Sequence, residues 1–128
     1  MTKAERVARF LRDSVLAENS GVYARPVKAA LSRILFQLPE PAFTKIENGV
    51  TLLCPHPRER ACHYRGGGSG DTIVLHPGAL ALGEAPMTGL LAHELGHCFE
   101  RTEEGVNRLV ATWGFAQELI MLASARGG

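Results

Sequence analysis

No run of apolar residues in this chain approaches the roughly 20 that a membrane-spanning helix needs. The opening segment, MTKAERVARFLRDSVLAENS, interleaves charged with apolar residues and has no continuous stretch of the secretory kind. An excess of either charge is also missing. Fourteen basic residues against 13 acidic ones leave a formal net charge of +1. That balance gives no electrostatic case for nucleic acid or for an anionic membrane surface. Cysteine is scarce: three residues, an odd number with no dense framework, suit a reducing cytosol better than an oxidising compartment. The glycine-rich run GGGSGD lacks the Lys-Ser/Thr ending and the helix entry of a phosphate cradle, so it reads as a hairpin loop. Internal repeats are absent. The expectation is a cytoplasmic protein that touches neither membrane nor nucleic acid directly.

What is present suits one domain, 1–128. A chain of 128 residues, 45% hydrophobic and 21% charged, is long enough to bury a real core. Residues 3 to 18 place Ala4, Val7, Ala8, Leu11, Val15 and Leu16 at helical spacing, and Asn19-Ser20-Gly21 ends that helix. A second helix is predicted from Pro26, with Val27, Ala30, Leu31, Ile34, Leu35 and Leu38 as its buried stripe, stopped by Pro39-Glu40-Pro41. These make a helical part over 1–40. Over 41–76 the pattern turns to a small sheet. Asn48-Gly49 between two β-prone runs signals a hairpin, and ACHYR and TIVLH read as two further strands joined by the glycine run. Pro77 is followed by a short turn or helix. The last part, 86–125, holds a helix from Pro86 to about Arg101 and another from an N-cap at Thr102 to about Ala125. Val106, Leu109, Val110, Trp113, Ile120 and Met121 are its candidates for the core. The expected class is α+β.

The chemistry concentrates in LLAHELGHCFERTEEGVN, residues 90–107. One helical turn separates His93 from His97, so both imidazoles project from one face and can reach one ion. Glu94 is rotated by about 100° from His93, beside such an ion without being needed as a ligand, where a carboxylate can take a proton from a water. A His-Glu-x-x-His string arises by chance in about one chain in a hundred of this length, so the flanks matter. They are uncharged from Leu90 to Ala92 and at Leu95, Gly96, Cys98 and Phe99. A helix that buries His and Glu in such company needs partners for them, and a metal is the natural one.

The third ligand is open among three carboxylates. Glu100 lies seven residues after His93, about 10 Å along a straight helix, too far for easy convergence. Glu103 shares a helical stripe with Val106, Val110 and Trp113, which directs it inward if Thr102 caps that helix. Glu104, about 100° around, faces solvent or Arg108 and stays as a rival. Tyr64, His76 and Arg101 are candidates by position for stabilising an oxyanion. Cys54, His56, Cys62 and His63 match no common zinc spacing, and Cys98 reads as an inert buried thiol.

The segment 90–107 resembles the active-site helix of the zincin metallopeptidases. EEGVN is similar to the Glu-x-x-x-Asn/Asp of gluzincins such as the ImmA/IrrE-like peptidases and the membrane CAAX-processing proteases. The resemblance implies a zincin-like domain with one catalytic Zn2+ on His93, His97 and Glu103, and Asn107 in support. In that superfamily a strand ahead of the helix aligns the substrate backbone, a place that residues 72–76 suit. The expected function is zinc-dependent peptide-bond hydrolysis with Glu94 as general base. The substrate is then a protein or peptide, with a repressor or other regulatory protein implied by the ImmA/IrrE pattern. The alternative is a catalytically silent zinc-binding regulatory module of zincin fold.

Overall fold

The computed structural model describes residues 1–17, 21–54, 62–65, 71–75 and 82–125. The first helix, α1 (Lys3–Asp13), opens on a reciprocal cap. The Thr2 hydroxyl accepts from the Glu5 N–H at 3.1 Å, and the Glu5 carboxylate accepts from the Thr2 N–H at 3.1 Å. It stops at Asp13, earlier than the expected end near residue 18. Val15 and Leu16 leave the helix for a strand, β1 (Val15–Ala17), that runs parallel to Leu52–Cys54. The Leu52 N–H donates to the Ser14 carbonyl at 2.8 Å, so sheet pairing takes over where helical periodicity continued.

Helix α2 (Gly21–Gln37) starts before Pro26, which lies inside it instead of at its first position. Its stripe from Val27 to Leu38 is buried as expected, at 0–4% exposure. The segment after it corrects the reading of a hairpin at Asn48-Gly49. Residues Glu40–Gly49 form a helix, α3, with Pro39 as N-cap and Pro41 in the first turn, where a missing N–H is harmless. Phe43 and Ile46, three apart, point into the core with Val50 four further on. Asn48-Gly49 is simply the end of that helix before β2 (Val50–Cys54). The Pro-Glu-Pro that stops one helix starts the next.

The two expected strands are present as β3 (Cys62–Arg65) and β4 (Asp71–Val74), an antiparallel pair with Cys62 opposite Val74 and Arg65 opposite Asp71. The four strands are ordered β1-β2-β4-β3, with β1, β2 and β4 parallel. Two consequences follow. Cys54 and Cys62 sit on strands separated by β4, about 9–10 Å apart and beyond disulfide reach. Residues 72–74 belong to an interior strand paired on both sides, so β4 has no edge for a substrate backbone; among the described strands β1 and β3 are the edges.

The rest is helical: α4 (Glu84–Gly96), α5 (Glu103–Thr112) and α6 (Ala116–Ala125). The single helix expected over 102–125 is broken. The Phe115 N–H bonds to the Val110 carbonyl at 3.1 Å and the Gly114 N–H to the Ala111 carbonyl at 3.0 Å. With Gly114 at φ +98° this is the six-to-one and five-to-two pattern that ends a helix at glycine. After the break Phe115 and Leu122 are buried, whereas Ile120 and Met121 are 60% and 42% exposed, not core. With six helices and one small sheet among the described residues, the domain is α+β with helix in excess. Among these residues no helix is long and apolar enough to cross a membrane.

Helix α4 runs through the centre. Met87 to Ala92 are all buried, together with Leu95 and Gly96. Two glycines let its neighbours approach. A Cβ on Gly89 would lie 2.7 Å from the backbone carbon of Glu118 in α6, and one on Gly96 would lie 2.8 Å from Val106 Cγ1 in α5. Backbone yields less readily than a side-chain methyl. Gly89→Ala is therefore expected to cost about 1–3 kcal/mol of overpacking, and more than Gly96→Ala. Urea unfolding midpoints of the two variants check the order.

A surface network ties α1 to α3. Arg6 stacks over the Phe43 ring at 4.7 Å, hydrogen-bonds Glu47 at 2.8 and 3.0 Å, and pairs with Glu40. Its hydrogen bonds hold the Glu40 and Glu47 carboxyls below their ordinary value of 4.5. A carboxyl depressed in the folded state contributes stability above its unfolded value and loses it as pH falls through the folded one. Melting temperature should therefore drop below about pH 4.5 more steeply in the parent chain than in Arg6→Met, which keeps the stacking and removes the charge.

Candidate metal centre

Helix α4 ends five residues before its expected end at Arg101. His93 lies in its last turn and His97 is its C-cap residue. Cys98, Phe99 and Glu100 then wind tightly, donating to the carbonyls of Leu95, Gly96 and Gly96 at 3.0 Å each. Lys45 of α3 seals this end. Its ammonium donates to the Cys98 carbonyl at 2.7 Å and lies 4.6 Å from the centre of the Phe99 ring. A cation at a helix C-terminus is favourable for the carbonyls there. The Phe99 ring in turn meets Trp113 edge-on at 5.7 Å.

The chain re-enters helix at Thr102, whose hydroxyl accepts from the Gly105 N–H at 3.0 Å, the cap read from the sequence. Val106 and Val110 pack on Gly96 and are fully buried. Glu103, one turn before Val106, is thereby aimed at the end of α4. Its Oε2 is 3.0 Å from His93 Nε2 and its Oε1 is 3.0 Å from His97 Nε2. The two Nε2 atoms are 3.1 Å apart, with the rings inclined at 81°. The imidazoles are mostly covered and the Glu103 side chain is 70% exposed, so the cluster opens to solvent on the carboxylate side.

The donor set fits a metal ion. Three pairs of atoms stand at hydrogen-bonding distance, but each Nε2 carries at most one proton, so protons cannot occupy all three edges. One cation among the three serves every atom. A tetrahedral zinc with ligands at 2.0–2.1 Å spaces them about 3.3–3.4 Å apart, within a few tenths of an ångström of what is present. Among the described residues this is the one group of three or more His, Cys, Asp or Glu that could hold an ion.

The other candidates fall elsewhere. Glu104 pairs with Arg108 at 2.9 Å on the surface, as its helical position implied. The Glu100 carboxylate lies against Gly105, over the first turn of α5. Asn107 shares with His93 and Glu103 the lining of a groove of about 500 Å³. Glu94 is buried at 9% exposure, directly after His93. Cys98 is buried. Tyr64 falls on the edge strand opposite Thr72, Arg101 is an exposed turn residue, and His76 and His56 lie outside the described residues. Lys45 was missed by sequence reasoning, and no local signal marks a lysine on one helix as the cap of another.

No family model matches the chain, and neither does any curated protein or solved structure. The functional reading therefore stands on the cluster itself.

Removal of one donor in three should be severe. Glu103→Ala is expected to weaken zinc binding by more than about 100-fold, and Glu104→Ala to leave it unchanged, in titrations against a chromophoric chelator. The reverse order would move the ligand to Glu104.

Proposed function

We propose that this protein is a small zinc-dependent peptidase of the zincin type, hydrolysing peptide bonds in a protein or peptide substrate. The observation that carries the reading is the convergence of His93 Nε2, His97 Nε2 and the Glu103 carboxylate within 3.0–3.1 Å, with a buried carboxylate, Glu94, next in sequence to one of them. Three protein ligands leave a position for water or substrate, the pattern of catalytic rather than structural sites. A zinc ion bound there supplies Lewis-acid polarisation of the carbonyl and brings the pKa of a water toward 7.

The chain's own residues do the rest. His93 and His97 donate neutral nitrogens from one helical face, and Glu103 adds the negative charge that balances part of the ion. Glu94 is the general base: it takes the proton of the attacking water and returns it to the leaving amine. Asn107, one helical turn after Glu103 and on the groove, holds the carboxylate or the substrate backbone by hydrogen bonds. An extended substrate would add to the outer side of β3, a role the interior β4 cannot take. The ImmA/IrrE pattern extends the proposal to a regulatory protein as substrate.

A zinc-binding module without turnover has no use for Glu94. The two readings separate on Glu94→Gln. That variant should keep one zinc per chain and lose about 10²–10⁴-fold in cleavage of an unfolded polypeptide. Undiminished cleavage would remove Glu94 from the mechanism, and a parent chain that binds zinc but cuts nothing would favour the silent module.

A further inference from the structure

Five residues, 98–102, separate His97 from Glu103, and the path they take decides whether the donors meet. A small change in that path would leave both helices intact and move the carboxylate off the imidazoles. The backbone bonds of the turn run only to the Leu95 and Gly96 carbonyls, so they tie residues 98–100 to α4 alone. The Thr102 cap ties the other end of the connector to α5 alone. Lys45 adds a tie from a third element.

The aim of Lys45 is set without the donors. Phe43 and Ile46 are fully buried and fix the rotation of α3. Lys45, about 100° round from Ile46, comes out on the flank of the helix. Arg6 of α1 holds another part of α3 through Glu40, Thr44 and Glu47. From its flank the ammonium donates to the Cys98 carbonyl at 2.7 Å, 53 positions along the chain, and stands 4.6 Å from the centre of the Phe99 ring. A charge-assisted bond of this kind is stronger than one between neutral groups. The Phe99 ring also meets Trp113, the C-cap residue of α5. Residues 98 and 99 are thus gripped from α3 on one side and from the far end of α5 on the other. Cys98 follows His97 directly, so holding its carbonyl also holds the direction in which the chain leaves the second imidazole.

We infer that Lys45 is a positioning residue of the metal centre. It holds the connector 98–102 against α3, keeps His97 and Glu103 at metal-binding separation, and raises affinity for zinc without supplying a donor. A site assembled beforehand gives up less freedom on binding than one its ligand must order. The inference rests on the metal reading of the cluster and extends the site to α3, which carries none of the three donors.

Lys45→Met keeps a flexible apolar stem and removes the hydrogen-bond donor and the charge. In competition with a chromophoric chelator it should bind zinc about 10-fold more weakly than the parent chain. Lys45→Ala, made separately so that a folding failure in one leaves the other, should do the same. Lys45→Arg keeps a cation that can donate to the carbonyl and stack on the ring, and should stay within about 3-fold of the parent. The visible absorption of the cobalt-loaded chain, which follows ligand geometry, should change in Lys45→Met and return in Lys45→Arg. Arg6→Met is the control: it loosens α3 on the α1 side and lowers the urea midpoint, but it spares the Lys45–Cys98 bond and should leave zinc affinity unchanged. A lysine that served the fold alone would weaken zinc binding no more than Arg6→Met does, and that result would overturn the inference. Tighter binding in Lys45→Met would overturn it too, by making the ammonium a charge that repels the ion. So would a loss that Lys45→Arg does not relieve. A parent chain that takes up no zinc is a separate result, and it removes the metal reading itself.

Discussion

The contact between Gly96 and the valine pair of α5 sets where the first turn of α5 meets the end of α4. Only a residue without a Cβ lets α5 approach the end of α4 this closely, since a methyl there would meet Val106 at 2.8 Å and Val110 at 3.3 Å. Glu103 stands one turn before Val106, so the packing that excludes water from the valines also carries a carboxylate to the two imidazoles. Burial of two valine side chains is worth about 1.5–3 kcal/mol each, which is ample to hold two short helices together. The hydrophobic contact positions the donors, and the donors need not position themselves.

That arrangement is braced from three sides. Lys45 bonds the last turn of α4 from α3, Phe99 meets Trp113 at the end of α5, and α6 lies across Gly89. Helix α4 is consequently buried over most of its surface, with the His93 and His97 rings partly reaching solvent. Its uncharged flanks are what a helix in that position needs. The candidate donors of α4 are confined to the one end where it leaves the core.

The candidate donor cluster was more legible in the sequence than the fold around it. His93 and His97 follow from a single helical turn, and Thr102 announces its own cap. The stripe of Val106, Val110 and Trp113, which continues from Glu103 along α5, is buried as its spacing implies. Errors arose where tertiary pairing outcompeted local pattern. Val15 and Leu16 continue a helical period yet pair with Leu52 and Leu53, because a parallel partner far along the chain is invisible locally. Asn48-Gly49 carries a strong hairpin signal, but Phe43 and Ile46 set a helical period just before it, and their burial prevailed. The break at Gly114 was legible: a glycine between two aromatics, after an apolar stripe, marks a helix end. The groove between α5 and α6 depends on that break.

The central claim is that His93, His97 and Glu103 jointly hold one ion. The most direct measurement is metal analysis of the chain purified without chelators or an immobilised-metal column, coupled to zinc-edge absorption spectroscopy. The account requires one zinc per chain with two imidazole nitrogens and carboxylate or water oxygens around it, and no sulfur. A chain that contains no stoichiometric zinc and takes none up when it is offered, or a shell that includes cysteine sulfur, would contradict it.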